Sequence, residues 1–134
     1  MCGILGLIHN TKYAISTNDF KKNNNLNYNR GPDFQNVKDM EILNHRIMIG
    51  HTRLSIQDLS VDSNQPMKSF SGRFIISFNG EIYNHLEIRR DLRNKNFNRW
   101  KTKSDTETLI NLFEFYSFDE VLKRHEHKSK EFLE

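Results

Sequence analysis

Residues 37–56 read VKDMEILNHRIMIGHTRLSI. Two runs in this stretch have strand character, Val37 to Leu43 and Arg46 to Ile56. Asn44-His45 between them has the length of a two-residue hairpin turn, although His stands where Gly is favoured. Ile47, Ile49 and His51 fall at alternate positions and therefore share one face.

Toward the N-terminus, Cys2 to Ile8 (CGILGLI) is a short apolar run with two glycines, which predicts a buried strand with close backbone approach at Gly3 and Gly6. Ser16 or Thr17 caps a weak helix that runs into the stretch Asn23 to Asn29. Asparagine is a poor helix former, so that helix gains little from its own sequence. The chain holds 16 asparagines, a bias that an AT-rich coding sequence would produce. Arg30-Gly31-Pro32-Asp33 reads as a turn.

Toward the C-terminus, Arg73 to Phe78 (RFIISF) predicts another strand, closed by an Asn79-Gly80 turn. A helix is expected from Asn84 to about Lys95. Ser104-Asp105-Thr106-Glu107 then has the pattern of a capping box, with the Ser hydroxyl on the third N–H and Glu107 reaching back to the cap N–H. Leu109, Phe113 and Tyr116, with Ile110 and Leu112, give the helix that follows an apolar face. Arg124 to Glu134 is charged and unpatterned. Strands mostly precede helices, which reads as α+β.

Composition narrows the class. At 134 residues the chain is one domain's worth. Its 36% hydrophobic content is lean, but 10 Phe can build a modest core. No stretch approaches ~18 consecutive apolar residues, so no transmembrane helix is expected. Met1-Cys2-Gly3 does not open a secretory leader. One cysteine forms no internal disulfide, and a reducing, cytoplasmic setting suits it. A net charge of +3 is too small and too scattered to point to nucleic acid.

Cys2 is the most informative residue for chemistry. Removal of Met1 would place a thiol and a free α-amine on one residue. The amine titrates near ~7.7–8.0 and the thiol near ~8.5, so the amine can serve as base for its own thiol. Taken singly, the other polar groups are unremarkable in kind. Arg53 reads as a strand-edge charge, Asp105 as a helix-start charge and Asn79-Gly80 as an ordinary turn. His51, Ser55 and Asp58 are close in sequence, which does not give triad geometry. His125-Glu126-His127 lacks the further spaced ligands of a metal site. No Gly-rich loop with Lys-Ser/Thr is present to cradle phosphate.

Six segments in order change this reading: MCGILG from Met1, RGPD from Arg30, GHTRLSI from Gly50, QPM from Gln65, NGEIYN from Asn79 and SDTE from Ser104. Together they resemble the glutaminase domain of the glutamine-hydrolysing asparagine synthetases, a class II glutamine amidotransferase. The resemblance implies an αββα sandwich of the N-terminal-nucleophile hydrolase type, antiparallel sheets between helix layers. It implies that Cys2 is the nucleophile toward the side-chain amide of L-glutamine, and that the Asn79 side chain and Gly80 N–H form the oxyanion hole. Arg53 corresponds to the partner of the substrate carboxylate, with Leu54, Ser55, Ile56 and Gln57 offering backbone atoms along the ligand. Glu81 and Asp105 correspond to the partners of its ammonium group. No cofactor is implied for the glutaminase half; ATP and magnesium are implied only for the synthetase domain.

The match fades near residue 124, so residues 1–123 are expected to form a partial amidotransferase domain and 124–134 a divergent charged tail. The family's domain continues further, so the sandwich is expected to be incomplete at its C-terminal end. Asn29 also departs from the family's usual His before RGPD. The implied partners are L-glutamine and a separate ATP-dependent synthetase chain or a second copy. The competing expectations are a non-catalytic remnant, a glutamine-binding regulatory module, or an amidotransferase serving a sugar or polysaccharide acceptor.

Overall fold

The residue that organises the molecule is Met48, fully buried at the centre of the middle strand of a sheet. The computed structural model describes residues 2–10, 15–55 and 58–126. Strand β1 (Gly3–Asn10) and strand β2 (Phe34–Ile42) flank strand β3 (His45–Arg53), in the order β1-β3-β2, antiparallel throughout. The register runs from Gly3 opposite Thr52 to Asn10 opposite His45, and from Phe34 opposite Arg53 to Ile42 opposite His45. Strand alternation puts Met48, Gly50 and Thr52 on one face and Ile47, Ile49 and His51 on the other.

Helix α1 (Thr17–Asn25) covers the Met48 face. Ser16 is its cap, taking the Asp19 N–H at 3.0 Å, which offsets the poor propensity of the asparagines that follow. Phe20 and Asn24, one helical turn apart, are its buried residues. A Cβ at Gly50 would lie 2.3 Å from Asn24 Oδ1, so only glycine lets this helix approach the sheet.

The hairpin differs from its expected form by one residue. Its turn residues are Leu43 and Asn44, both in the left-handed region at φ 49° and 63°, and His45 already pairs with Ile42. Asn tolerates that region, and positive φ at both turn residues suits the twist of the flanking strands. β3 ends at Arg53, and Ile56 lies outside the described residues.

The expected strand over Arg73 to Phe78 is also shorter. Only β5 (Ile75–Ile76) pairs, with β4 (Met67–Lys68). The Phe78 N–H leaves the ladder and bonds Gln65 Oε1 at 2.6 Å, which ends the strand.

Helices α2 (His85–Asn94), α3 (Asp105–Leu112) and α4 (Phe118–Glu126) complete the described chain. All eight residues of α3 are buried, including its polar ones. Ile82, Ile88, Leu92, Phe97, Leu109, Leu112 and Val121 form the core around it. Each large apolar side chain buried there contributes about 1.5–3 kcal/mol. Phe97 is its aromatic hub, with ring centroids 5.0 Å from Phe70, 4.8 Å from Trp100 and 5.5 Å from Phe115.

Half of the capping box forms as expected. Ser104 Oγ accepts the Thr106 and Glu107 N–H groups at 3.1 and 3.4 Å. Glu107 does not return to Ser104. Its carboxylate takes the Lys101 and Thr102 N–H groups, both at 2.9 Å, while the Thr102 hydroxyl takes the Ser104 N–H at 3.1 Å.

The architecture is α+β with antiparallel sheets, as expected. α4 runs to Glu126, past the position where the sequence pattern fades; His127 and the rest of the charged stretch lie outside the described residues. No described helix is long and apolar enough to cross a membrane.

Candidate active site

The ends of β1 and β3, the segment after β5 and the start of α3 converge on one cleft of about 450 Å³. Among the residues lining it are Cys2, Arg53, Leu54, Asn79, Gly80, Glu81 and Asp105.

Cys2 precedes β1 and is half-buried. The Leu54 N–H points at its sulfur at 3.4 Å, and the Leu54 carbonyl lies 3.8 Å from the same atom. The pairing of β1 with β3 brings these residues together, since Gly3 sits opposite Thr52.

Arg53 is buried, at 7% exposure, rather than a surface charge. Its Nη1 donates to the Ser60 carbonyl at 3.0 Å and to Asn64 Oδ1 at 2.7 Å, and its Nη2 donates to the Asp58 carbonyl. The guanidinium thus folds the 58–64 segment around itself. Among the described residues, these bonds leave Nε–H and one Nη2–H, a pair that can grip a carboxylate side-on.

Asn79, Gly80 and Glu81 are exposed at the mouth of the cleft. Among the described residues, no backbone acceptor takes the Gly80 N–H. Asp105 lies deeper and is buried. Its Oδ2 accepts the Ile82 N–H at 2.8 Å, and the Thr106 hydroxyl lies 3.4 Å from Oδ1.

Ser55 stands apart from this lining, with its N–H bonded to Asp33 Oδ2 at 2.7 Å. Asp33 therefore braces the segment after β3 rather than its own turn. Ile56 and Gln57 lie outside the described residues.

Several groups here escaped sequence reasoning. Asp58 is a staple: its carboxylate takes the Ser60 N–H at 2.8 Å and the Lys103 N–H at 2.7 Å. Those two backbone donors hold it well below the usual carboxylate range. Arg89, buried on α2, donates to Thr108 Oγ1 at 2.7 Å and to the Thr102 and Ser104 carbonyls, both at 2.8 Å. It also lies 3.6 Å from Glu107 and stacks over Trp100 at 4.2 Å. Arg89 thus fixes the corner that presents Asp105. Gln65 ties the site's two sides, bonding the Phe78 N–H and lying 3.4 Å from the Thr106 hydroxyl. Apart from Ser60, which is two residues from Asp58, their partners are distant in sequence; the sequence offered Gln65 only through the QPM segment and Asp58 only as a triad candidate, the wrong role.

His51, Ser55 and Asp58 form no triad. His51 is buried against the Phe78 carbonyl at 3.4 Å, and Ser55 and Asp58 have the separate partners just described. Among the described residues, no group of three His, Cys, Asp or Glu side chains could hold a metal ion.

The cleft combines a thiol, a buried arginine, exposed N–H donors and two carboxylates, a set that suits an amino-acid ligand with a reactive carbonyl. Comparison with known proteins gives the family. The family model described as the glutamine amidotransferase domain matches residues 1–126. Asparagine synthetase [glutamine-hydrolyzing] 1 of Bacillus subtilis is 32% identical over 126 residues, covering 92% of this chain and 19% of that protein. Asparagine synthetase [glutamine-hydrolyzing] 1 of Arabidopsis thaliana is 32% identical over 123 residues, covering 90% and 20%. The chain spans a quarter or less of the length of such curated relatives, the largest share being 25%. With the match running through β1, both sheets and all four described helices, the chain belongs to the glutamine amidotransferase domain family and is related to the asparagine synthetases.

Proposed function

We propose that this chain is a glutaminase of the N-terminal-nucleophile hydrolase type, hydrolysing L-glutamine to glutamate and ammonia. The observation that carries the reading is the gathering of Cys2, Arg53, the Asn79-Gly80 segment and Asp105 on one cleft.

Met1 must be removed first. The α-amine of Cys2 then takes the thiol proton, and the sulfur attacks the side-chain amide carbon of glutamine. Negative charge develops on the amide oxygen, where the Asn79 amide and the Gly80 N–H stabilise it. One such donor is worth about 2.7–4 kcal/mol of barrier. The C–N bond breaks, the amine returns its proton to the leaving nitrogen, and ammonia departs from a γ-glutamyl thioester. Water adds to the thioester, releasing glutamate and restoring the thiol. Arg53 holds the substrate α-carboxylate, while Asp105 and Glu81 hold its ammonium group. Leu54 lines the ligand's path, and a part for Ser55, Ile56 and Gln57 is carried by the family resemblance alone.

The relatives are named for asparagine synthesis. In this reading their further length supplies the ATP- and magnesium-dependent step that uses ammonia on aspartate. This chain delivers ammonia to a synthetase partner, in the cytoplasm, where its single thiol stays reduced. A glutamine analogue with an electrophile in place of the amide nitrogen tests the site. It should label Cys2 stoichiometrically once Met1 is removed, and excess glutamine should protect. Labelling elsewhere, or labelling that glutamine leaves unchanged, overturns the reading.

A further inference from the structure

Thr52 neighbours Arg53 on β3 but does not line the cleft. Its side chain is wholly buried. The hydroxyl donates to the Asn27 carbonyl at 3.1 Å and accepts the Gly3 N–H at 3.1 Å. A hydroxyl has a single proton, so the bond to Asn27 sets its rotation and turns a lone pair toward Gly3.

That Gly3 N–H belongs to the same rigid peptide plane as the Cys2 carbonyl. The carbonyl end is held too, accepting from Arg30 Nε at 3.3 Å. The β1 ladder begins only at Gly3, so this plane is the anchor for Cys2. With the plane fixed, the sulfur can swing only about ψ and χ1 of Cys2, and the Leu54 N–H, which meets it at 3.4 Å, limits that swing. Packing is equally tight: a Cβ at Gly3 would lie 2.5 Å from Thr52 Oγ1 and 2.7 Å from Asn27 Cβ.

We propose that Thr52 is a positioning residue whose hydroxyl sets the plane of the Cys2–Gly3 peptide and so aims the Cys2 sulfur at the substrate amide. The proposal rests on the glutaminase reading. Misplacing a reacting group by about 1 Å costs on the order of 10²-fold in rate. Thr52 touches no part of the ligand's path, so its loss should lower turnover without changing glutamine affinity.

The test compares Thr52→Val, which keeps the shape and loses the hydroxyl, with Thr52→Ser, which keeps the hydroxyl. Thr52→Ala serves if the valine variant does not fold. All are assayed well below their melting temperatures, after Met1 removal. For Thr52→Val we expect kcat to fall about tenfold or more with KM within about twofold, and for Thr52→Ser near-native kcat. Native kcat in Thr52→Val, or equal losses in both variants, overturns the proposal. If the native chain releases no glutamate, the glutaminase reading fails separately. Thr52 is then judged on Gly3 amide exchange and Cys2 alkylation by iodoacetamide. Rates altered in Thr52→Val and native in Thr52→Ser support it; native rates in both overturn it.

Discussion

The Asp105 carboxylate, at the first residue of α3, accepts the Ile82 N–H at 2.8 Å. This bond joins the segment carrying Asn79, Gly80 and Glu81 to the helix that carries Asp105. The second carboxylate oxygen of Asp105 has the Thr106 hydroxyl at 3.4 Å and lies on the cleft.

Asp105→Asn separates the bond from the charge. The amide oxygen can still take the Ile82 N–H, so melting temperature should stay near native. On the proposed glutaminase reading this variant loses the charge that would face the substrate ammonium, and a charged hydrogen bond is worth about 1.5–3 kcal/mol. Glutamine KM should therefore rise about tenfold or more. Asp105→Ala should lower stability as well, because it strands a buried N–H at about 1–3 kcal/mol. Calorimetry with steady-state kinetics distinguishes the two variants.

Arg89 should matter more for stability than any group lining the cleft. Arg89→Met leaves the Thr102 and Ser104 carbonyls and Glu107 without their cation. Breaking such a buried pair costs about 3–5 kcal/mol. Urea unfolding should show a large fall in midpoint. Arg89→Lys should recover only part of it, since one compact ammonium cannot span acceptors that three separate guanidinium nitrogens reach.

Two acid-sensitive windows follow from the buried and paired groups. His51 bonds the Phe78 carbonyl through Nε2, so Nε2 carries the proton, and Nδ1 lies buried with no partner among the described residues. Burial pushes its pKa below the ordinary 6.5, with the Arg53 charge adding to the effect. The unfolded chain then binds the extra proton first. Stability from this group is complete above pH 6.5 and falls as pH drops below it. His85 shifts the same way, also chiefly by burial.

Asp39 shares the second window with Asp58, whose backbone donors also hold it low. Hydrogen bonds from Arg46 and Thr17 lower Asp39 from 3.8 to about 2, so its contribution is present above pH 3.8 and lost as pH falls toward 2. Urea midpoints measured from pH 7.5 downward should fall in both windows. His51→Gln, which keeps the donor to Phe78, should shrink the first, leaving the share of His85, and Asp39→Asn should shrink the second, leaving that of Asp58.

What could be read from the sequence was local. The Ser16 and Ser104 caps depend on residues three positions away, and both form. The apolar run after Cys2 becomes β1 with the expected close approach at Gly3, but the strand is not buried: Ile4 and Ile8 are exposed and a Cβ at Gly6 would meet nothing within 4 Å. Features that depend on distant partners were misplaced or missed. β5 stops early because the Phe78 N–H prefers a side chain thirteen residues upstream. Glu107 abandons the cap because Thr102 takes its place. Arg53 looked like a surface charge until the 58–64 segment wrapped it. Asp58, Arg89 and Thr52 have polar side chains of common kinds, and only the fold shows what each one holds.

The most direct test is release of glutamate from L-glutamine by the chain with a confirmed free Cys2 terminus, beside Cys2→Ala and a form that retains Met1. Steady turnover confined to the free-cysteine form is the result expected here. No turnover from that form, or equal turnover in Cys2→Ala, would contradict a working glutaminase built on Cys2.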